Sequence, residues 1–179
     1  MYGFLNQLIA LIIFILALPI ILFTAFLILI FERKWPFFIQ ERLGINKVPF
    51  ILYKIRSMHQ NKVTFIGRVT RRTGIDELPQ LINIMKGDIL FVGPRPLAQT
   101  DIERLEWTSN YYSFRWAIKP GLTGLAQLSP LCNKKVSIFW DKYYTINKTI
   151  WLDLKIILTT FFMLFLGKNR VKKLIILKK

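Results

Sequence analysis

The first 31 residues of this chain carry no charged side chain. That is longer than the about 20 apolar residues needed to cross the hydrocarbon of a bilayer. In hydrocarbon every backbone N–H and C=O must be satisfied inside the segment, so a lone segment of this kind can only be a helix. One helix and its apolar surroundings are thereby set before the rest of the chain is read. The run has no basic n-region and no small-residue cleavage site, so it is not read as a cleaved signal peptide. Pro19 lies in its middle, where it removes a hydrogen bond and kinks a helix. Two arrangements fit: a spanning helix with its N-terminus outside, or a helix that kinks and returns to the same side. Glu32-Arg33-Lys34-Trp35 then places charges and an indole at headgroup depth.

The rest of the chain is basic. The 179 residues hold 26 Lys and Arg against 10 Asp and Glu, a formal net charge of +16, with 53% hydrophobic residues. A basic flank stays in the cytoplasm. An apolar, basic protein suits an anionic membrane surface or a phosphate-rich substrate, and nucleic acid is the other reading of such charge. Cys132 is the only cysteine, so no intrachain disulfide can form, which fits a reducing compartment. One His (His59) and one Cys make no usual zinc site.

Against that background Arg71 to Pro96, RRTGIDELPQLINIMKGDILFVGPRP, stands out, because Asp76 and Glu77 are the only adjacent acids in the chain. Leu78, Leu81, Ile82 and Met85 follow the spacing of one helical face. Pro79 fits the first turn, so the helix is expected to start near Asp76, and Lys86-Gly87 to end it. Ile89 to Val92 reads as a short strand, and Gly93-Pro94-Arg95-Pro96 as a rigid turn presenting one arginine. Asp76 reads as a helix N-cap with Glu77 a first-turn acid and also, since the one does not exclude the other, as a carboxylate kept ionised to attack or to bind metal.

Elsewhere Phe37 to Arg42 reads as extended and Pro49 to Met58 as a strand, with Lys54 and Arg56 on one face. A helix over Thr64 to Arg72 lines arginines along one side. Residues 97–118 read as an amphipathic helix, whose aromatics beside Arg115 serve either as core or as a base-stacking platform. Ile156 to Gly167 is too short to span easily, and Lys168 to Lys179 alternates basic and apolar residues like an electrostatic anchor.

DELPQLINIMKGDILFVGPRP resembles the core signature of the bacterial sugar transferases, the monotopic polyprenyl-phosphate phosphoglycosyl transferases. Further matches follow in the same order. They are Gln40-x-Arg42-x-Gly44, Tyr53-Lys54-Ile55-Arg56-Ser57-Met58, Pro120-Gly121-Leu122-Thr123-Gly124 with Ala126-Gln127, Asp141-Lys142-Tyr143-Tyr144 and Leu152-Asp153-Leu154-Lys155-Ile156. The likeness runs from about residue 10 to about residue 160. The chain departs from the family pattern in Leu18-Pro19 for Ser-Pro, in Arg115-Trp116 for Arg-His, and in lacking a Gly-Arg-Asn-like segment after Gln127.

The resemblance implies an α+β, mostly helical fold: a small cytoplasmic catalytic domain anchored by a re-entrant membrane helix kinked at Pro19, with interfacial amphipathic helices. The corresponding divisions are 1–34 (membrane helix), 35–167 (catalytic domain) and 168–179 (basic tail). It implies transfer of a sugar 1-phosphate from a UDP-sugar to polyprenyl (undecaprenyl) phosphate at the cytoplasmic face of the bacterial inner membrane, releasing UMP, as the first membrane step of glycan assembly. Asp76 and Glu77 become the catalytic pair and the Mg²⁺ ligands. Arg71, Arg95, Lys54, Arg56 and Gln127 become substrate-binding residues. The partners expected are the UDP-sugar, the polyprenyl phosphate and anionic lipid, with no nucleic acid; oligomeric state is left open. Two other readings stay beside it, a non-catalytic membrane-anchored basic module that binds anionic lipid or nucleic acid, and a small structural membrane protein with two spanning helices.

Overall fold

The computed structural model describes residues 2–129 and 133–166. The tail expected at 168–179, and Cys132, lie outside the described residues. The chain is mostly helical, with three two-stranded sheets among the described residues. It divides into two compact units, Met1–Glu41 with Ile51–Gly87, and Arg42–Phe50 with Asp88–Lys179.

The first unit begins with α1 (Tyr2–Leu27), continued by a π-helical turn, Ile28–Glu32. By length and composition Gly3–Glu32 is a helix that could cross a membrane. The helix–break–helix expected about Pro19 is one continuous element: α1 runs through that residue without interruption. Regular α geometry is lost only at the π turn, and the left-handed Arg33 (φ 51°) ends the helix. Proline removes one N–H from the ladder, and the neighbouring turns keep their own bonds; the Thr24 hydroxyl donates to Ile20 O at 2.8 Å. Ala17, Ile21, Thr24, Ala25 and Ile28 are buried, whereas Phe4, Leu16 and Phe23 are exposed. α1 packs on the segment that carries Asp76 and Glu77.

The chain passes between the units along β1 (Phe37–Leu43) and β2 (Pro49–Ile55), which pair as a hairpin. Asn46 (φ 52°) and Lys47 (φ 60°) make its tight turn, the paired positive-φ conformation that suits a hairpin's twist. In the first unit β3 (Met58–His59) and β4 (Lys62–Val63) form a small antiparallel ribbon. It leads into α2 (Phe65–Thr73), whose cap Thr64 accepts from Gly67 N at 2.9 Å. Gly74, left-handed at φ 75°, ends α2 and opens a 3₁₀ turn, Ile75–Gln80, followed by α3 (Leu81–Lys86) and Gly87 at φ 81°.

In the second unit β5 (Leu90–Val92) lies parallel to β6 (Gly121–Thr123), Leu90 opposite Gly121 and Val92 opposite Thr123. Between them run α4 (Gln99–Leu105) and a 3₁₀ stretch, Asn110–Trp116. The single helix expected over 97–118 is thus two pieces, ended at Glu106 in the left-handed region (φ 57°). Then come α5 (Leu125–Leu128), α6 (Lys134–Asn147) and α7 (Ile150–Leu166). One core gathers Leu43, Leu97, Ile102, Trp107 and Trp116; a second gathers Val92, Leu128, Tyr144 and Ile156.

Candidate active site

Asn83 is the residue that assembles the first unit's site. It is fully buried on α3. Its amide oxygen accepts from Tyr53 N (3.1 Å) and its amide nitrogen donates to Ile51 O (2.6 Å), so one side chain serves β2 as a neighbouring strand would. The sequence signal was a lone asparagine inside the apolar run LINIM. It turns α3 away from the expected face: Leu81, Asn83 and Ile84 are buried, and Leu78, Ile82 and Met85 are only half-buried.

With β2 fixed, Lys54 reaches Glu77, Nζ to Oε1 at 3.2 Å. Lys86 closes the other edge, donating to the Tyr53 hydroxyl at 2.9 Å and lying 4.8 Å from that ring's centroid. The second cation comes from α2. A Cβ on Gly67 would stand 2.1 Å from Ser57 O, so only glycine lets α2 lie this close. One turn later Arg71 Nε donates to Ser57 Oγ at 2.9 Å, and Nη2 lies 3.1 Å from Met58 Sδ. Ser57, buried under α2, is a positioning residue that the sequence offered only as part of a motif.

Asp76 lies between these groups and is 7% exposed. It is not the helix N-cap: the cap position belongs to Gly74, and both acids sit inside the 3₁₀ turn. Pro79 lies in that same turn, so the α-helix starts after it and not near Asp76. The Asp76 carboxyl is pushed above the usual carboxylate range by burial and by the Glu77 charge, and Lys54, Arg71 and its own backbone N–H pull the other way. Two crowded carboxylates beside two cations suit a ligand that brings both a cation and phosphate. Among the described residues no group of three or more His, Cys, Asp or Glu gathers to hold a metal. An adjacent pair still fits Mg²⁺, which binds through one or two carboxylates with substrate phosphates and water completing its shell.

Arg56 stands apart from this group. It lies just beyond β2, its Nε donates to Trp35 O (2.7 Å) and its N–H to Pro36 O (2.7 Å), so it ties the strand end to the segment after α1.

Arg95 and Gln127 belong to the second unit. Arg95 is exposed between buried Pro94 and Pro96, as the turn reading expected. The turn meets the Pro120–Gly124 loop backbone to backbone. A Cβ on Gly121 would lie 2.0 Å from Gly93 N, and one on Gly124 2.2 Å from Gly93 O. Behind the turn Arg115 pairs with Asp141, Nε to Oδ2 at 2.8 Å, both side chains buried. The aromatics around it are core: Trp107 and Trp116 are buried, with the Arg115 guanidinium 5.2 and 5.4 Å from their centroids. The Tyr144 hydroxyl lies 2.7 Å from Asp153 Oδ1 and 3.2 Å from Val92 O, and burial together with Asp153 pushes its pKa up. Gln127 is half-buried on α5, with its backbone N–H donating to Gly124 O. Lys134, near the missing Gly-Arg-Asn segment, pairs with Glu106 at 2.6 Å.

Comparison with known proteins adds the following. A family model described as bacterial sugar transferase matches residues 2–167. The UDP-N-acetylgalactosamine-undecaprenyl-phosphate N-acetylgalactosaminephosphotransferase of Aeromonas hydrophila is 34% identical over 161 residues, 79% of this chain and 38% of that protein. An uncharacterised sugar transferase of Bacillus subtilis is 37% identical, covering 79% of this chain and 75% of that one. A UDP-glucose:undecaprenyl-phosphate glucose-1-phosphate transferase of Caulobacter vibrioides is 34% identical over 79% of this chain and 61% of its own length. The chain therefore spans well under two thirds of the Aeromonas protein and somewhat under two thirds of the Caulobacter one.

Proposed function

This chain belongs to the bacterial sugar transferase family, and from that premise we propose that it transfers a sugar 1-phosphate from a UDP-sugar to polyprenyl (undecaprenyl) phosphate. The observation that carries the reading is the buried Asp76 beside Glu77, with Lys54 and Arg71 acting on its charge. In the first step an Asp76 carboxylate oxygen attacks the sugar-bearing phosphorus of the donor. The bond from that phosphorus to the bridging oxygen breaks, UMP leaves with the electron pair, and an aspartyl-phosphosugar remains. In the second step an oxygen of polyprenyl phosphate attacks the same phosphorus. Asp76 departs as carboxylate and polyprenyl-diphospho-sugar is formed.

Charge spreads over the phosphoryl oxygens during both steps, so fixed cations lower the barrier. Arg71, braced on Ser57, and Lys54, braced on Glu77, are the first unit's clamp. Arg95 is assigned to the same work through the family motif, and Arg56 and Gln127 to donor binding. Asp76 and Glu77 would hold Mg²⁺, which when bound supplies charge neutralisation to the diphosphate. The chain works at the cytoplasmic face of the inner membrane, with α1 as its anchor in a re-entrant arrangement; the lipid acceptor lies there, and the basic charge suits anionic headgroups.

The test is UMP release in nanodiscs from polyprenyl phosphate, Mg²⁺ and a panel of UDP-sugars. UDP-glucose and UDP-N-acetylgalactosamine belong in the panel because relatives are named for them. Release with one donor, lost in Asp76→Asn and on chelation, is expected. Undiminished release from Asp76→Asn would overturn the aspartyl mechanism.

A further inference from the structure

We propose that Arg115 and Asp141 are positioning residues that aim Arg95, acting through its backbone and touching no substrate themselves. This rests on the reading above in one respect, that Arg95 binds the transferring phosphoryl group.

The turn that carries Arg95 cannot hold itself. Pro94 and Pro96 have no N–H to donate, so the segment has little with which to close an internal hydrogen-bonded turn. Its shape must come from donors outside it. Two are present, one on each side of Arg95. Gly121 N donates to Pro94 O at 2.9 Å. Arg115 Nη2 donates to Arg95 O at 2.6 Å. The peptide planes before and after the Arg95 Cα are therefore both pinned, and the side chain leaves a backbone that cannot swivel. One of the pins, Gly121, is a backbone contact that needs the close approach only glycine allows.

The other pin is a side chain, and it is itself held rigid. The Arg115 Nε donates to Asp141 Oδ2 at 2.8 Å, and the two side chains are 3% and 4% exposed. Trp107 and Trp116 pack against the guanidinium. Asp141 stands on α6, and one turn further along that helix Tyr144 has its hydroxyl 3.2 Å from Val92 O. The same helix thus addresses the carbonyl before the turn and, through Arg115, the carbonyl inside it.

A buried ion pair is weak support for stability alone, since an apolar pair of like volume is often as good or better. Here the surroundings are already aromatic core, where apolar residues would have packed. What the pair supplies that apolar residues cannot is a donor fixed in direction at one backbone oxygen. Arginine suits this because its planar fork serves two acceptors at once, and lysine, a point charge, does not.

The experiment is a double-mutant cycle in full-length protein in nanodiscs. Arg115→Lys and Asp141→Asn are each made with Arg95 present and with Arg95→Ala. With Arg95 present, each is expected to lower kcat/KM about tenfold, the effect falling on kcat, because a misdirected clamp loses transition-state contact. With Arg95→Ala, the same changes should cost less than about twofold, since there is nothing left to aim. Equal losses in both backgrounds would show a general structural role and overturn the proposal, as would full activity from a folded Arg115→Lys protein.

A second measurement reads the same proposal without turnover. Hydrogen exchange of the peptide over 92–98 should quicken in Arg115→Lys, with α4 (Gln99–Leu105) unchanged. Uniform quickening, or none, counts against it. If the wild type releases no UMP with any donor, the proposed reaction fails, and the exchange result still decides whether Arg115 holds the turn.

Discussion

At Asp76 the structure sets two requirements against each other. In the proposed mechanism the nucleophile must be ionised, yet burial and the Glu77 charge favour its protonated form. Activity should therefore fall as pH drops through a pKa above the ordinary carboxylate range. Lys54 opposes that shift, so Lys54→Met should move the acid limb of kcat/KM to higher pH. Glu77 promotes it, so in Glu77→Gln the limb should move lower in whatever activity survives. A limb that stays put in Lys54→Met would mean that another group titrates. The sign for stability is opposite to that of a salt-bridged acid. A raised folded pKa means that the fold is penalised for the ionised form, and the loss sets in as pH rises from the unfolded value through the folded one. Asp76→Asn should thus melt higher than wild type near neutrality while releasing no UMP, as a functional residue held at a cost would. The two acids were legible in the sequence because they are adjacent in a basic chain. Their surroundings were not: Glu77 takes Lys54 from 23 residues away, and the contacts that hold Arg71 and β2 in place span 14 and 32 residues, beyond the reach of any local pattern.

The elements were legible where periodicity and glycine set them. α2, the end of α3 at Gly87, β5 and the Gly93–Pro96 turn lie where the spacing places them. Misreadings came where a tertiary partner overrode the local pattern. α3 faces inward with Asn83 because β2 offers it a donor and an acceptor at once, which no count of apolar residues reveals. The 97–118 helix divides at Glu106 because Trp107 is drawn into the core there. Asn83→Leu should leave the Tyr53 N–H and the Ile51 C=O unpaired inside the unit, a loss of roughly 2–6 kcal/mol at about 1–3 per orphaned group. Denaturant unfolding measures it, and a loss under about 1 kcal/mol would mean that β2 finds other partners. Gly67→Ala tests a neighbouring element. A Cβ there meets Ser57 O, so α2 must shift and take Arg71 with it. Activity should drop at least tenfold in a protein that still carries both carboxylates.

At the scale of the molecule the question is how α1, a candidate membrane anchor, would meet a bilayer. Its 26 residues run about 39 Å at 1.5 Å each, longer than the about 30 Å of hydrocarbon, so length alone allows it to span. Packing argues for a different use of that length. Burial along α1 and the π turn gathers from Ala17 to Ile28, and before it most of the helix is exposed apart from the fully buried Ala10. The buried half lies in the unit that holds Asp76 and Glu77, and α1 packs on the very turn that carries them. As the proposed anchor, a helix so engaged would fix the depth of the candidate site, whereas a perpendicular span would leave most of its length in lipid. Pro19 leaves the Ile15 carbonyl without its intrahelical donor, a weak point at which the helix, continuous as described, would turn back in the proposed re-entrant arrangement. Gly3→Cys in a Cys132→Ser background reports the outcome. In the re-entrant arrangement an impermeant maleimide added outside spheroplasts should label it only after permeabilisation. Labelling of intact spheroplasts would establish a spanning helix. Pro19→Ala in the same background should convert the first result into the second, because with the Ile15 carbonyl paired the helix loses the point at which it would turn back on meeting a bilayer and is long enough to emerge on the far side.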